Sequence, residues 1–178
     1  MADSIKNVAT IEQADALCAE GKWGDARALY SDMLEATPND VGLWQHYLEQ
    51  ANSVGDYVEV IRCYMALAEV LAQNGEYDKA RSEYQEIISL ENQAKSGEIA
   101  GHNDVLNKVA AIKAEIFAKL GYLDMWESKA EEAVDWLRAS LDLDPSRWDT
   151  HMGRPSLHGG ESRQGCHWRV PGSGAFGS

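Results

Sequence analysis

The apolar residues between Tyr64 and Leu90 recur at helical spacing on both sides of the pair Asn74-Gly75. Each set falls on one stripe of a helix with 3.6 residues per turn. The first stripe is Tyr64, Leu67, Ala68 and Leu71, and the second is Tyr77, Ala80, Tyr84, Ile87 and Leu90. Glycine tolerates the left-handed conformation at a helix end, so Asn74-Gly75 suits a sharp turn. The pattern predicts two amphipathic helices that pack face to face.

The same spacing occurs earlier in the chain. Gly21 is followed by Trp23, Ala26, Tyr30 and Met33. Thr37-Pro38 is predicted to stop this helix, because the residue before proline disfavours α geometry. The preceding helix is predicted to begin at Thr10, which pairs with Gln13 as in a capping box.

A third helix is predicted to begin at an Asp40 cap and to end at Gly55. Gly21 and Gly55 are 34 residues apart, but Gly55 and Gly75 are only 20 apart. Tyr64 fits the stripes counted from both of the later glycines. The shorter step therefore predicts one helix over 57–73 that is shared by two helical pairs, with Asp56 and Glu59 at its start as a capping-box-like pair.

At these spacings the chain resembles the tetratricopeptide repeat, a helix–turn–helix unit of about 34 residues. The resemblance covers roughly residues 8–92, with a degenerate helical pair at 104–145. It implies an all-α fold, a right-handed α–α superhelix of about six to seven helices. It also implies a protein-interaction scaffold that is not an enzyme.

The C-terminal part of the repeat region is predicted as a loop and two helices. Residues 91–103 are polar and interrupted by glycine, which is typical of a loop. The next helix is predicted over 104–120, with Gly121 as its end, and the last over 123–143, with Trp126 on its apolar stripe. The ending Leu143-Asp144-Pro145 resembles that of the family's repeats.

Charge divides the chain into two predicted parts, a helical repeat domain over 1–145 and a tail over 146–178. The first part holds 27 acidic and 12 basic residues, a net charge of −15, and the second holds 2 acids and 4 Arg, a net +2. The tail has no helical or strand periodicity, which predicts disorder. An unselected extension remains an alternative. The overall charge of −13 argues against nucleic acid and anionic membrane surfaces as partners.

Cysteine usage indicates a reducing compartment. The chain has 3 cysteines, an odd number with no disulfide framework. No secretory pattern begins the sequence, and no apolar run approaches the roughly 20 residues of a membrane helix. We therefore expect a cytoplasmic protein.

Motifs that suggest chemistry are weak. Residues 172–177 match G-x-G-x-x-G but lack the flanking strand and helix of a dinucleotide site. Metal ligands of the right type are irregularly spaced, namely His151, His158, Cys166 and His167. Cys18 and Cys63 fall within helical patterns as small core residues. We expect no catalysis, no metal and no cofactor.

Some tetratricopeptide domains clamp the acidic C-terminal carboxylate of heat-shock chaperones with Lys, Asn and Arg. Here the matching positions hold Ile11, Asp15, His46, Arg62 and Ala66. Only Arg62 is cationic, so we expect no partner of this carboxylate type.

An acid lies six residues before each of Gly21, Gly55, Gly75 and Gly121; these acids are Asp15, Glu49, Glu69 and Glu115. We name these four residues the acidic ladder. The resemblance implies that this position faces the concave groove, where Gln45 and Arg62 are also expected. The hypothesis is a groove that binds a basic peptide or helix, and the alternative is ordinary solubilising charge.

Two other functions stay open. One is a half-a-tetratricopeptide protein of an RNA-processing assembly, because Trp44-x-x-Tyr47, Gly55 and Arg62-x-Tyr64 loosely resemble that repeat. The other is a helical piece of a larger multidomain enzyme or regulator.

Overall fold

The computed structural model describes residues 2–147, and the side chains of residues 11–146. These residues form seven α-helices and a short 3-10 turn, and no strand occurs among them. The helices are α1 Ala2–Ala19, α2 Trp23–Ala36, α3 Val41–Val54, α4 Tyr57–Gln73, α5 Tyr77–Ser96, α6 His102–Trp126 and α7 Ala130–Leu143. The all-α prediction is confirmed. The predicted tail lies almost wholly outside the described residues.

Helices that are neighbours in the chain make most of the packing. α1 packs on α2, α5 on α6, and α6 on α7. α4 packs extensively on both α3 and α5, so the predicted shared helix is confirmed. α1 also contacts α3, and α4 contacts α6. The first helices of these pairs therefore lie next to one another.

The turns of the N-terminal half follow the sequence prediction. Gly21, Gly55 and Gly75 have φ of +73°, +74° and +81°, the left-handed conformation that favours glycine. The N-H of Leu43 donates to Asp40 Oδ1 at 3.0 Å, which confirms the cap of α3. The Thr10 cap was wrong, because α1 begins at Ala2 and no glycine or proline interrupts residues 2–10.

Asp56 caps α4, but the predicted capping box is only half formed. The N-H of Glu59 donates to Asp56 Oδ1 at 3.2 Å. The side chain of Glu59 is buried and accepts a hydrogen bond from the Tyr47 hydroxyl at 2.7 Å. The indole N-H of Trp23 donates to Asp56 Oδ2 at 2.8 Å. These hydrogen bonds tie the start of α4 to α2 through Trp23 and to α3 through Tyr47.

Aromatic stacking completes this junction. The rings of Tyr30 and Tyr47 stack with centroids 4.8 Å apart, and those of Trp23 and Tyr47 with centroids 5.9 Å apart. Tyr30 and Tyr47 are fully buried. Such pairs stabilise a core beyond the area that they bury, by about 0.5–1.5 kcal/mol each.

The loop predicted at 91–103 is mostly helix. α5 continues to Ser96 and α6 begins at His102. Ala94 is buried one turn after Leu90, so the apolar stripe extends further than the polar composition suggested. Glu91 is also buried, but Lys113 of α6 donates to its Oε2 at 2.8 Å. A buried charge that is paired in this way does not break a helix.

Gly121 does not end a helix. α6 continues to Trp126, and the chain turns at Ser128, whose φ is +63°. A Cβ at Gly121 would lie 2.8 Å from Leu137 Cγ and 3.2 Å from the Ala133 carbonyl oxygen. Glycine is therefore needed here for the close approach of α7 to α6.

The last helix consequently begins later than predicted, at Ala130 instead of residue 123, although its end at Leu143 is confirmed. Trp126 belongs to α6 and not to the stripe of α7. Its ring packs on Tyr77, with centroids 5.6 Å apart.

An ion-pair network joins α5 to the end of α6. Arg81 Nη2 donates to Asp124 Oδ1 at 2.5 Å and also to Glu127. Asp124 is only 3% exposed.

The apolar stripe predicted for α5 agrees with the structure at its centre. Tyr84 is 1% exposed and Ala80 is fully buried.

Candidate partner-binding surface

The acidic ladder lies on α1, α3, α4 and α6, the four helices that contact one another in pairs. Glu115 was chosen because it lies six residues before a turn predicted at Gly121. That turn is wrong, because the chain turns at Ser128. Glu115 is nevertheless partly exposed on α6. The four acids also differ from one another in their contacts.

Asp15 links α1 to α2 and α3. Its Oδ1 accepts a hydrogen bond from the Tyr30 hydroxyl and lies 2.8 Å from His46 Nε2. Partial burial raises the pKa of the Asp15 carboxyl, but these two partners together outweigh burial and hold that pKa below its ordinary value. The side chain is still 38% exposed. Asp15 is thus both a structural contact and part of the surface.

Glu69 of α4 and Glu115 of α6 both lie near the Tyr84 hydroxyl of α5. Burial raises the pKa of the Tyr84 hydroxyl, and the negative charges of Glu69 and Glu115 raise it further. Lys119, one turn after Glu115, donates to Glu69 Oε1 at 2.9 Å. The Glu69 side chain remains 42% exposed. Sequence reasoning missed Lys119, and no local signal could have found it, because its partner Glu69 lies 50 residues away.

Glu49 and Gln45 lie on α3 and are exposed. Within the described residues Glu49 forms no hydrogen bond or ion pair. Arg62 is also exposed, but its Nη1 donates to Glu59 Oε1 at 2.6 Å. Arg62 therefore compensates the buried Glu59 carboxylate. Glu115 likewise forms no hydrogen bond or ion pair within the described residues, so Glu49 and Glu115 are the ladder acids that are free to pair with a partner, and Glu49 is the more exposed of the two.

Neither described cysteine has the character of a nucleophile. Cys18 and Cys63 are free thiols. Burial raises the pKa of Cys18, and it raises the pKa of the more deeply buried Cys63 to about 12. Thiols with raised pKa values carry little thiolate at neutral pH and react poorly.

The described part of the chain, residues 2–147, holds no group of three or more His, Cys, Asp or Glu residues arranged to bind a metal ion. It also contains no helix with the length and apolar character needed to cross a bilayer. The glycine motif at 172–177 and the candidate ligands His151, His158, Cys166 and His167 lie outside the described residues.

We expect the melting temperature to fall in acid. The pKa values of Asp15, Glu91 and Glu127 are lowered in the folded protein; for Glu91, burial raises the pKa, but Lys113 and Lys95 outweigh it. A carboxyl whose folded pKa is lowered contributes stability above its unfolded pKa and loses it as pH falls through the folded pKa. Glu83 acts in the opposite sense, because burial and Glu86 raise its pKa.

Thermal melts followed by circular dichroism between pH 7 and pH 3 test this expectation. Stability should be constant near neutrality and decline below about pH 4.5, the ordinary range of carboxyl groups. Glu91→Gln should give a shallower acid decline than Glu35→Gln, which removes an exposed carboxyl on α2. Equal slopes for the two variants would contradict the assignment to Glu91.

Comparison with known proteins supports the helical-repeat reading of the centre of the chain. Residues 61–93 match the family model of the tetratricopeptide repeat. This segment contains most of α4 and the greater part of α5. The chain matches no curated protein sequence.

Two solved structures resemble the chain at 16% sequence identity each. "Crystal structure of MamA protein" has a TM-score of 0.29, with 80% of this chain and 93% of that chain covered. "Crystal structure of MamA" has a TM-score of 0.25, with 76% of this chain and 96% of that chain covered. A likeness at these scores assigns no function.

Proposed function

We propose that this chain is a scaffold or adaptor that binds a basic peptide or helix of a protein partner. Residues 61–93 match the tetratricopeptide-repeat family. The observation that carries the proposal is the set of exposed acids on neighbouring first helices. Glu49 is exposed and free of internal partners, while Asp15 and Glu69 remain more than a third exposed. A Lys- or Arg-bearing partner would supply the cation that Glu49 lacks and would also be attracted by the exposed parts of Asp15 and Glu69.

The nitrogen groups that pair within or beside the acidic ladder are already engaged. His46 pairs with Asp15, Lys119 with Glu69, and Arg62 with the buried Glu59. The region 1–145 carries a net charge of −15. The field of such a surface attracts basic segments and repels phosphate backbones and anionic lipid headgroups. We therefore propose no nucleic-acid, membrane or chaperone-carboxylate partner.

The proposal includes a non-catalytic, cofactor-free role in the cytoplasm. Support comes from the two described thiols, which are free and have raised pKa values, so that they fit a reducing compartment better than a nucleophilic site.

The test begins with affinity capture and mass spectrometry to identify a partner, followed by surface-plasmon kinetics at two salt concentrations. In the double variant Glu49→Gln/Glu69→Gln we expect association to slow by roughly 3–10-fold at low salt, with a smaller change in dissociation. The affinity of the wild type should fall as salt rises, since exposed charges are screened beyond about 8 Å at physiological ionic strength.

The matched control is Asp32→Asn/Glu35→Gln, which removes the same charge from exposed positions on α2. This control should associate at nearly the wild-type rate. If both double variants associate alike, the ladder acids are ordinary solubilising charge and the proposal fails.

A further inference from the structure

An open pocket lies where α1, α2 and α3 meet. Its volume is about 350 Å³, at the lower end of the range for small-ligand sites. The described residues that line it are Ile11, Met33, Asp40, Gly42, Leu43 and His46. None of these six is Lys or Arg. The pocket is distinct from the Glu69–Glu115 part of the acidic ladder, which lies on α4 and α6.

The inner wall of the pocket is apolar and is held in place by the core. Met33 and Leu43 are only 6% and 5% exposed and belong to the buried cluster of the protein. Ile11 packs partly buried against the same cluster. A wall built from packed core residues keeps its shape before any partner binds, which reduces the entropic cost of binding.

The rim of the pocket is acidic. Asp40 Oδ1 accepts the capping hydrogen bond from the N-H of Leu43, while Oδ2 forms no hydrogen bond or ion pair within the described residues. His46 borders the other side and is engaged by Asp15 at 2.8 Å. One carboxylate oxygen is therefore available beside an apolar cavity.

We propose that this pocket anchors one apolar side chain of about leucine size, and that an adjacent Lys or Arg of the same peptide pairs with Asp40. The inference rests on the proposed function and specifies it, since it names the side chains that a basic partner would present. A leucine would cover the exposed parts of Ile11, Met33 and Leu43. A neighbouring cation would pair with Asp40 at the rim and would also be attracted by the negative charge of the whole domain.

The site has the opposite chemistry to a carboxylate clamp. The sequence resemblance led to Ile11 and His46 as two of the positions where such a clamp would place its cation and amide groups. The structure brings these two side chains to one pocket, together with Met33, Leu43 and a carboxylate. This combination favours an apolar, cationic group and disfavours a chain-terminal carboxylate.

Two glycines allow a matched pair of variants. Gly42 is the second residue of α3 and Gly24 the second residue of α2, and neither has a positive φ. A Cβ at position 42 would make only an ordinary contact with Asp40 Oδ1 at 3.4 Å, and one at position 24 meets nothing within 4 Å. Gly42→Leu should fill the mouth of the pocket, whereas Gly24→Leu adds the same side chain away from it.

The experiment titrates the ¹⁵N-labelled full chain with a short acetylated peptide that has Leu between two Arg in a Gly/Ser background. Two matched peptides replace the Leu by Ala or both Arg by Glu. We expect amide shifts centred on Leu43 and His46, and about ten-fold weaker binding of the Ala peptide, because a buried leucine side chain is lost. The Glu peptide should bind more weakly still.

Gly42→Leu should weaken binding of the Leu/Arg peptide about ten-fold, as expected when the apolar contact is lost. Gly24→Leu should leave its binding unchanged. Equal binding of the Leu and Ala peptides to the wild-type chain would overturn the pocket whether or not a variant folds. Shifts centred on Glu69 and Glu115 would also overturn the pocket but leave the basic-peptide function standing. Absence of any shift with the Arg peptides would reject both.

Discussion

Replacement of Arg81 by Met should lower the free energy of unfolding by about 3 kcal/mol, the lower end of the cost of breaking a buried ion pair. Arg81 is the cation shared by Asp124 and Glu127, and Asp124 is almost completely buried. The methionine keeps most of the apolar contact of the arginine stem. The loss therefore comes from a buried carboxylate that has lost its compensating charge. Urea unfolding monitored by circular dichroism measures the change.

Two further variants separate this cause from a general effect of losing an arginine. Arg138→Met removes an exposed arginine of α7 and should change stability by less than about 0.5 kcal/mol. The triple variant Arg81→Met/Asp124→Asn/Glu127→Gln should recover part of the loss, because no uncompensated charge remains. If the triple variant is less stable than the single variant, the loss in Arg81→Met does not come from the uncompensated charge of the carboxylates.

Substitution of Gly121 by Leu should also destabilise the fold by about 3 kcal/mol, the upper end of the usual range for overpacking. The first added carbon already lies 2.8 Å from Leu137 Cγ and 3.2 Å from a backbone oxygen of Ala133. α6 and α7 would have to separate to accept it. A glycine in mid-helix normally lowers helix stability relative to alanine, by roughly 0.5–1 kcal/mol. Its presence here reflects the close helix contact.

The same substitution at Gly24 is the control, since a Cβ there meets nothing within 4 Å. Gly24→Leu should leave the unfolding midpoint unchanged or raise it slightly. Leu137→Ala should destabilise the wild type but restore part of the stability of Gly121→Leu, because it removes the side chain that clashes. If the two Leu variants unfold at the same denaturant concentration, the α6–α7 contact is wrong.

The parts of the fold that were predictable from sequence depend on local patterns. The turns at Gly55 and Gly75 and the bounds of α4 follow from apolar spacing and from the conformations open to glycine. The ends of α5 and α6 depend on contacts with other helices. Glu91 remains helical because Lys113 compensates it, and Gly121 is selected by Leu137. Neither partner can be recognised from the local sequence.

The candidate site was likewise predictable only where it depends on local sequence. The sequence placed all four ladder acids on helices, and it predicted which helices. It did not predict that Asp15 bonds Tyr30 and His46, which are 15 and 31 residues away, or that Lys119 pairs with Glu69 across 50 residues. These contacts decide which charges are free. Glu49 and Glu115 therefore emerge as the free acids only once the helices are packed.

The shared helix α4 determines how much of the molecule opens at once. In a regular array a terminal repeat can fray while its neighbours stay folded. Here α3 and α5 both pack on α4, so opening of either pair uncovers part of the other. We therefore expect α3, α4 and α5 to open as one cooperative block. A partner that holds α3 in place will protect α5 from local unfolding as well, without touching it.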